Sequence, residues 1–364
     1  MVYRQDTNMY MAHQPQLAER LVAALERGVQ VRLLLEAQPP GGLDDTTRWF
    51  AQQVHDASGE VRYMRGEPDQ HIHRRFVFDH AKYGIIDGSR VFVMSENWVG
   101  HGTPTDHSYG NRGWGVIVRN RAVARYLAGV FAADWNPLVA DTVAYNADDP
   151  KYGGPPAGFT PDDSVPKGEY PHPFRARRFT EPVQVTPVFA PDNTLYDTRG
   201  ILGLIGAAQE RLLVEQQYIH LQWDGRAGSV DQTPDLYLRA VVAAAQRGVE
   251  VRVLLDDDSK YAAPPNHTPP GTSALTNRDT CAYLNGIAAG AGLRLECRLL
   301  DAGNTGLAKV HNKGVIADDQ VLVSSINWSR NSPANNRELG LIIGSQPVSD
   351  YFAGVFDWDW EHSG

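Results

Sequence analysis

Lysine is scarce in this chain of 364 residues: six lysines stand against 28 arginines. Most basic positions are therefore arginine, and a lysine held inside a repeated motif suggests that an ammonium rather than a guanidinium is required there. Cysteine is scarcer still, with only Cys281 and Cys297. A zinc site asks for more ligands at tighter spacing, and the pair fits a disulfide as well as it fits two buried thiols. Positive charge is not in surplus. The formal net charge is −9 and the isoelectric point about 5.7, so the broad basic surface behind sequence-independent nucleic-acid binding is missing, although the field in a cleft can oppose the net charge. No apolar run approaches the roughly 20 residues that cross a bilayer. A lipid substrate therefore has to be reached from the aqueous side. With 42% hydrophobic residues, the chain is long enough to bury one large core or two fused ones.

What is present is a pattern that occurs twice. His80-Ala81-Lys82 is followed by Asp87, and His311-Asn312-Lys313 by Asp318, so each copy reads H-x-K-x-x-x-x-D. A second element follows each copy: Ser95-Glu96-Asn97-Trp98 in one, Ser325-Ile326-Asn327-Trp328 in the other. Short β-branched stretches around them (Ile85, Ile86 and Val91 to Val93; Val315, Ile316 and Val321 to Val323) have strand composition. In a strand, residues two apart share a face, so each His and Lys point the same way. Asp87-Gly88 and Asp318-Asp319 stand where a hairpin turns; these aspartates are read as turn residues facing away from the chemistry. The return strand brings Ser95 with Asn97, or Ser325 with Asn327, to one face. One hairpin thus offers an imidazole, an ammonium, a hydroxyl and a carboxamide.

Those groups suit phosphorus. Imidazole attacks it or moves a proton near neutral pH, lysine meets non-bridging oxygens, and Ser and Asn add hydrogen bonds. The positive charge is built in, so no metal or other cofactor is expected. A single H-x-K in a strand is more often structural than catalytic; two whole copies, holding two of only six lysines, reverse those odds.

The chain resembles the phospholipase D superfamily, the HKD phosphodiesterases, in its two-motif form. The resemblance rests on both motifs, on the Ser-x-Asn elements and on Asn336-Arg337-Glu338. It implies one site built by His80, His311, Lys82, Lys313, Asn97, Asn327 and Glu338, with Lys82, Lys313, Ser95, Ser325, Asn97 and Asn327 on the phosphate. One histidine attacks to form a phosphohistidine, by the family's habit His80, and the other, His311, serves as acid and then base. Glu338 resembles the family acid that holds a catalytic imidazole in its tautomer. The first copy departs here, having Gly113 after Asn111-Arg112, which leaves one histidine without a carboxylate unless Asp106 or Glu96 supplies it. The usual glycine before the motif serine is Met94 in one copy and Ser324 in the other.

The duplication runs beyond the motifs. Leu21 to Leu35 parallels Ala240 to Leu255, a helix closing at Arg-Gly and entering an apolar strand. Trp49 to Tyr63 parallels Ala282 to Arg298, and the segment from Tyr126 to Trp135 parallels that from Tyr351 to Trp360. The expected fold is α/β: two pseudo-symmetric sandwich halves, helices flanking mixed sheets. The first half (1–145) and the second (183–364) are joined by a Pro/Gly-rich connector over the surface (146–182). With Tyr3 set against Tyr218, the first half lacks about one strand and one helix at its amino end. The chain is accordingly read as truncated, as started late, or as filled there by another segment, and any leader would be lost with it. Val99 to Gly110 and the Pro-rich stretch from Ala262 to Thr272 are expected as rim loops that select substrate. His71, His73, His101, His107 and His220 have no pattern and read as surface or rim residues.

The function expected is a phosphodiesterase of the phospholipase D type, acting on a phospholipid head group by hydrolysis or by transfer to an alcohol. Its alternatives are a nuclease of the same superfamily, which the net charge disfavours, and an inactive scaffold, which has no use for two full sets of His, Lys and Asn. A soluble protein is expected, a monomer before any oligomer, and its compartment is left open, with secretion and attachment to a membrane surface both compatible with the sequence.

Overall fold

In the computed structural model, residues 2–171, 174–196, 198–223, 235–257 and 276–363 are described. The expected loop from Ala262 to Thr272 lies outside them. In the first half the elements are β1 (Arg4–Met9), α1 (Pro15–Glu26), β2 (Gln30–Glu36), α2 (Asp45–Asp56), β3 (Glu60–Met64), β4 (Lys82–Ile86), β5 (Arg90–Met94), β6 (Gly115–Arg119), α3 (Arg121–Trp135) and β7 (Thr142–Ala144). In the second they are β8 (Gln184–Ala190), α4 (Ile201–Ala207), β9 (Arg211–Gln216), α5 (Leu236–Gln246), β10 (Glu250–Leu255), α6 (Asn277–Ala291), β11 (Leu295–Leu299), the short α7 (Ala302–Thr305), β12 (Lys313–Ala317), β13 (Gln320–Ser324), the short α8 (Asn331–Ala334), β14 (Glu338–Gly344) and α9 (Gln346–Glu361).

Two seven-stranded mixed sheets result, ordered β6-β5-β4-β1-β2-β3-β7 and β11-β10-β9-β12-β13-β14-β8. Strands β1, β2 and β3 pair in parallel through helical crossovers, as β9, β10 and β11 do, and the motif hairpins β4-β5 and β12-β13 add antiparallel strands. Each crossover helix α1 and α5 stops at Arg-Gly because Gly28 and Gly248 adopt positive φ, 83° and 94°. Helices α1 and α2 cover the outer face of the first sheet, and α4, α5 and α6 that of the second. The inward faces meet in one core. It joins Tyr83, Ile85, Val91 and Val93 to Ile316, Val321, Val323, Leu339 and Leu341, with α3 and α9 between. Among the described residues no helix is long and apolar enough to cross a membrane.

Six strands of each half follow the same order, but not in the register that matched Tyr3 to Tyr218. Lys82 pairs with Met9 and Lys313 with Gln216, so Arg4 corresponds to Arg211 and Met11 to Tyr218. What the first half lacks beside its twin is β8 and α4. It has β7 at the opposite edge instead, so both sheets count seven strands. The connector is anchored at three places: Tyr152 is buried and its hydroxyl accepts from Gln38, Tyr170 accepts from Arg112, and Phe179 packs on Tyr351. Cys281 on α6 and Cys297 on β11 form a disulfide.

Candidate active site

Each motif histidine lies in the extended lead-in to a strand, two residues before a lysine that opens it. Each is stitched to the opposite half by the backbone. His80 N donates to Arg337 O at 2.9 Å and Arg337 N to Phe78 O at 2.9 Å; His311 N donates to Arg112 O at 2.9 Å and Arg112 N to Lys309 O at 2.8 Å. These crossed contacts bring both motifs and both Asn-Arg segments to one place. The Lys313 charge acts on His80, and the Lys82 charge on Lys313.

The carboxylates cross over as well. Nδ1 of His80 is 2.8 Å from Glu338 Oε2, so the acid of the second half serves the histidine of the first. Nδ1 of His311 is 3.1 Å from Glu96 Oε2, and Glu96 thereby fills the place left open by Gly113. Asp106, half-buried, does not: its carboxylate accepts from Ser108 N at 2.7 Å. Glu338 is buried and also accepts from Ser325 Oγ (2.6 Å), Ser332 Oγ (2.6 Å) and Asn336 Nδ2 (3.1 Å). Burial pushes both acids up, but the facing histidine and lysines outweigh it and hold each below its ordinary value. Burial pushes His80 down to about 4 and His311 to about 3, against the pull of their carboxylates. A neutral imidazole facing an ionised acid carries its proton on Nδ1, which leaves the Nε2 lone pair free.

The lysines are fully buried, each donating to the carbonyl of its own histidine at 2.6 Å. Their other neighbours differ. Lys82 Nζ lies 4.9 Å from the centre of the Tyr10 ring, whereas Lys313 Nζ donates to Gln217 Oε1 at 3.0 Å. Burial pushes Lys82 down to about 7 despite Glu338, Asp79 and Glu96, and Lys313 falls well below the usual lysine range for the same reason.

Asn97 and Asn327 are buried, and their Oδ1 atoms have no protein partner among the described residues. Ser95 and Ser325, read from sequence as phosphate contacts, are fully buried and otherwise engaged: Ser95 Oγ accepts from Trp114 N at 3.0 Å, and Ser325 Oγ donates to Glu338 and accepts from Leu339 N. Asp87 and Asp318 sit in their turns at φ 52°. They reach sideways, Asp87 accepting from the amides of Tyr3 and Arg4 and Asp318 from those of Gln209, Glu210 and Arg211. The strand on which each lysine pairs is held in register this way.

Sequence reasoning missed Tyr10, whose ring meets His80 edge-on at 4.5 Å, and Gln217. It weighed Glu96 without deciding. The signal for Glu96 was legible: an acid stands where the other copy has Ile326, fully buried.

Residues 4–135 and 201–360 match the family described as cardiolipin synthase, PLD-like domain. The chain belongs to that PLD-like family. Its fold is similar to that of the phosphatidylserine synthase of Haemophilus influenzae Rd KW20, with a TM-score of 0.61 at 14% identity over 99% of this chain and 80% of the other. The polyphosphate kinase of Porphyromonas gingivalis aligns with a TM-score of 0.51 at 12% identity, covering 98% of this chain and 45% of that one. The phospholipase D family member Nuc of Salmonella typhimurium covers half of this chain at 18% identity, with a TM-score of 0.34. Among curated proteins, none matches the sequence.

Proposed function

We propose that the protein is a phosphodiesterase that cleaves or exchanges phospholipid head groups through a phosphohistidine. The observation that carries this reading is the crossed pair of imidazole and carboxylate, His80 with Glu338 and His311 with Glu96, beside two buried lysines. His80, as the first-motif histidine, attacks phosphorus with its Nε2 lone pair while the bond to the leaving oxygen breaks. His311 gives that oxygen a proton from its own Nε2. In the second step His311 takes the proton back from water or an alcohol, whose oxygen attacks phosphorus as the P–N bond breaks and His80 regains its lone pair. Lys82, Lys313, Asn97 and Asn327 hold the non-bridging oxygens. A phosphodiester anion offsets the burial cost that depresses both lysines, and its charge favours the imidazolium form that the acid needs. Phospholipid is preferred to nucleic acid because the family description names cardiolipin synthase and the chain has no surplus of positive charge.

The test is a panel of phosphatidylcholine, phosphatidylglycerol, cardiolipin, single-stranded DNA and bis(p-nitrophenyl) phosphate, with EDTA present. Turnover of a lipid and of the reporter is expected. Preference for the DNA would make the protein a nuclease, and no turnover of any diester would make it a scaffold. With the reporter, whose leaving group needs no proton, His311→Ala is expected to trap an acid-labile label on His80. A label on His311 in the His80→Ala protein would reverse the roles.

A further inference from the structure

The second half carries its acid at Glu338, the first residue after Asn336-Arg337. The corresponding residue of the first half is Gly113, and a Cβ placed there would lie 2.2 Å from Glu96 Oε1, 2.4 Å from its Cγ and 2.7 Å from its Cδ. The carboxylate of Glu96 thus occupies the volume that a side chain at 113 would need. In the opposite direction, the residue matching Glu96 is Ile326, fully buried and apolar. The asparagines complete the correspondence: Asn111 Nδ2 donates to Glu96 Oε2 at 3.0 Å, and Asn336 Nδ2 to Glu338 Oε1 at 3.1 Å. Equivalent asparagines hold carboxylates that hang from non-equivalent backbone positions.

We propose that Glu96 is the relocated positioning residue of His311, doing for it what Glu338 does for His80, and that residue 113 is glycine because the acid has moved into its side-chain space. The inference rests on the acid–base role given to His311, and it makes residues 96 and 113 a coupled pair. A carboxylate is required at one of the two places, and the volume holds only one. A purely structural Glu96 would fill space and satisfy Asn111, which a glutamine does as well. A positioning carboxylate fixes the Nδ1–H tautomer of His311 and stabilises its imidazolium, which a glutamine does not.

The experiment compares Glu96→Gln, Glu96→Ile, Gly113→Glu and the double variant Glu96→Ile/Gly113→Glu. One readout is the ¹⁵N spectrum of the His311 ring across pH, which needs no turnover; the other is kcat and KM for bis(p-nitrophenyl) phosphate. Glu96→Gln is expected to lose the Nδ1–H preference of His311 and to lower kcat about 100-fold with KM nearly unchanged. Glu96→Ile is expected to do the same, and Gly113→Glu alone to lose activity and stability, since two acids then share one volume. The double variant is expected to restore the His311 tautomer and to recover kcat to within about tenfold of wild type. A folded double variant no better than Glu96→Ile would overturn the proposal. So would a Glu96→Gln protein with wild-type kcat and the wild-type ring spectrum, and this arm decides the matter if the double variant fails to fold. If wild type turns over no diester, the phosphodiesterase reading fails, while the ring spectra still report on the pairing.

Discussion

A buried ammonium and a buried guanidinium of the same charge are different objects, and the two motif lysines are where that difference matters most. Lys82 and Lys313 are fully enclosed, each donating to the carbonyl two residues back. The longer, forked guanidinium cannot adopt that contact without displacing Tyr10 from one lysine or Gln217 from the other. Lys82→Arg and Lys313→Arg should each lower kcat/KM by about 100-fold while far-UV circular dichroism stays unchanged; near-wild-type turnover by either variant would make that lysine structural. The scarcity of lysine and the repeated H-x-K spacing made both residues legible in the sequence, because both signals are local. The pairing of acids with histidines was not, since Glu338 crosses to His80 and Glu96 to His311 over 258 and 215 residues, spans that no local spacing encodes.

At the scale of elements, the repeated helix-to-strand passages ending in Arg-Gly were readable because each copy keeps the same apolar periodicity and the same cap. The strand β1 was not. Its sequence RQDTNM carries Asp6, Thr7 and Asn8 in buried positions, where Arg32 donates to Asp6 at 2.7 Å and Asn8 to Asp79 at 3.0 Å. Its twin β9, RLLVEQ, has Leu213 and Val214 opposite Asp6 and Thr7, and of the three matching places only Glu215, opposite Asn8, is polar, so a hydrophobic pattern finds one strand and passes over the other, and Tyr3 then falls against Tyr218. The cysteine pair shows the same limit: spacing allowed a bond, and only the packing of α6 on β11 brings the sulfurs together. That bond closes a loop of 16 residues, and loop-closure entropy of that size makes the unfolded chain less favourable by about 3 kcal/mol. Urea unfolding with and without dithiothreitol should differ by roughly that amount; an unchanged midpoint would show that the bond contributes nothing to stability.

At the scale of the whole molecule, the two halves are joined by charged pairs that repeat the two-fold exchange of the candidate site. Arg112 of the first half pairs with Asp359 of the second, with Nη2 2.8 Å from Oδ1, and Arg337 of the second pairs with Asp134 of the first at 2.9 Å. Glu215 is buried beside Asp359, and burial together with that neighbour pushes its carboxyl well above the ordinary range, with Arg112 opposing. Arg112→Met removes the guanidinium that faces both acids. A cost of about 3–5 kcal/mol is expected in urea unfolding, and a loss under about 1 kcal/mol would mean that the acids simply share a proton there. The same burial makes stability depend on pH through the candidate site itself. His80 and His311 have folded values of about 4 and about 3 against an ordinary 6.5. Between roughly pH 4 and 6.5 the unfolded chain therefore binds protons that the folded chain refuses, and stability must rise with pH across that window by up to about 1.4 kcal/mol per unit for each histidine. Glu96 and Glu338, held below their ordinary values, act in the same sense: they favour folding when ionised, and that contribution is lost as pH falls through their folded values. Calorimetric melting of the wild type should show Tm falling as the pH is lowered from 6.5 to 4. In His80→Gln/His311→Gln the slope should be shallower, because the two imidazoles are gone and Glu338 and Glu96 lose the partner that holds each below its ordinary value. Equal slopes in the two proteins would mean that the histidines are charged in the folded state, and the neutral, Nδ1-protonated nucleophile would have to be abandoned with them.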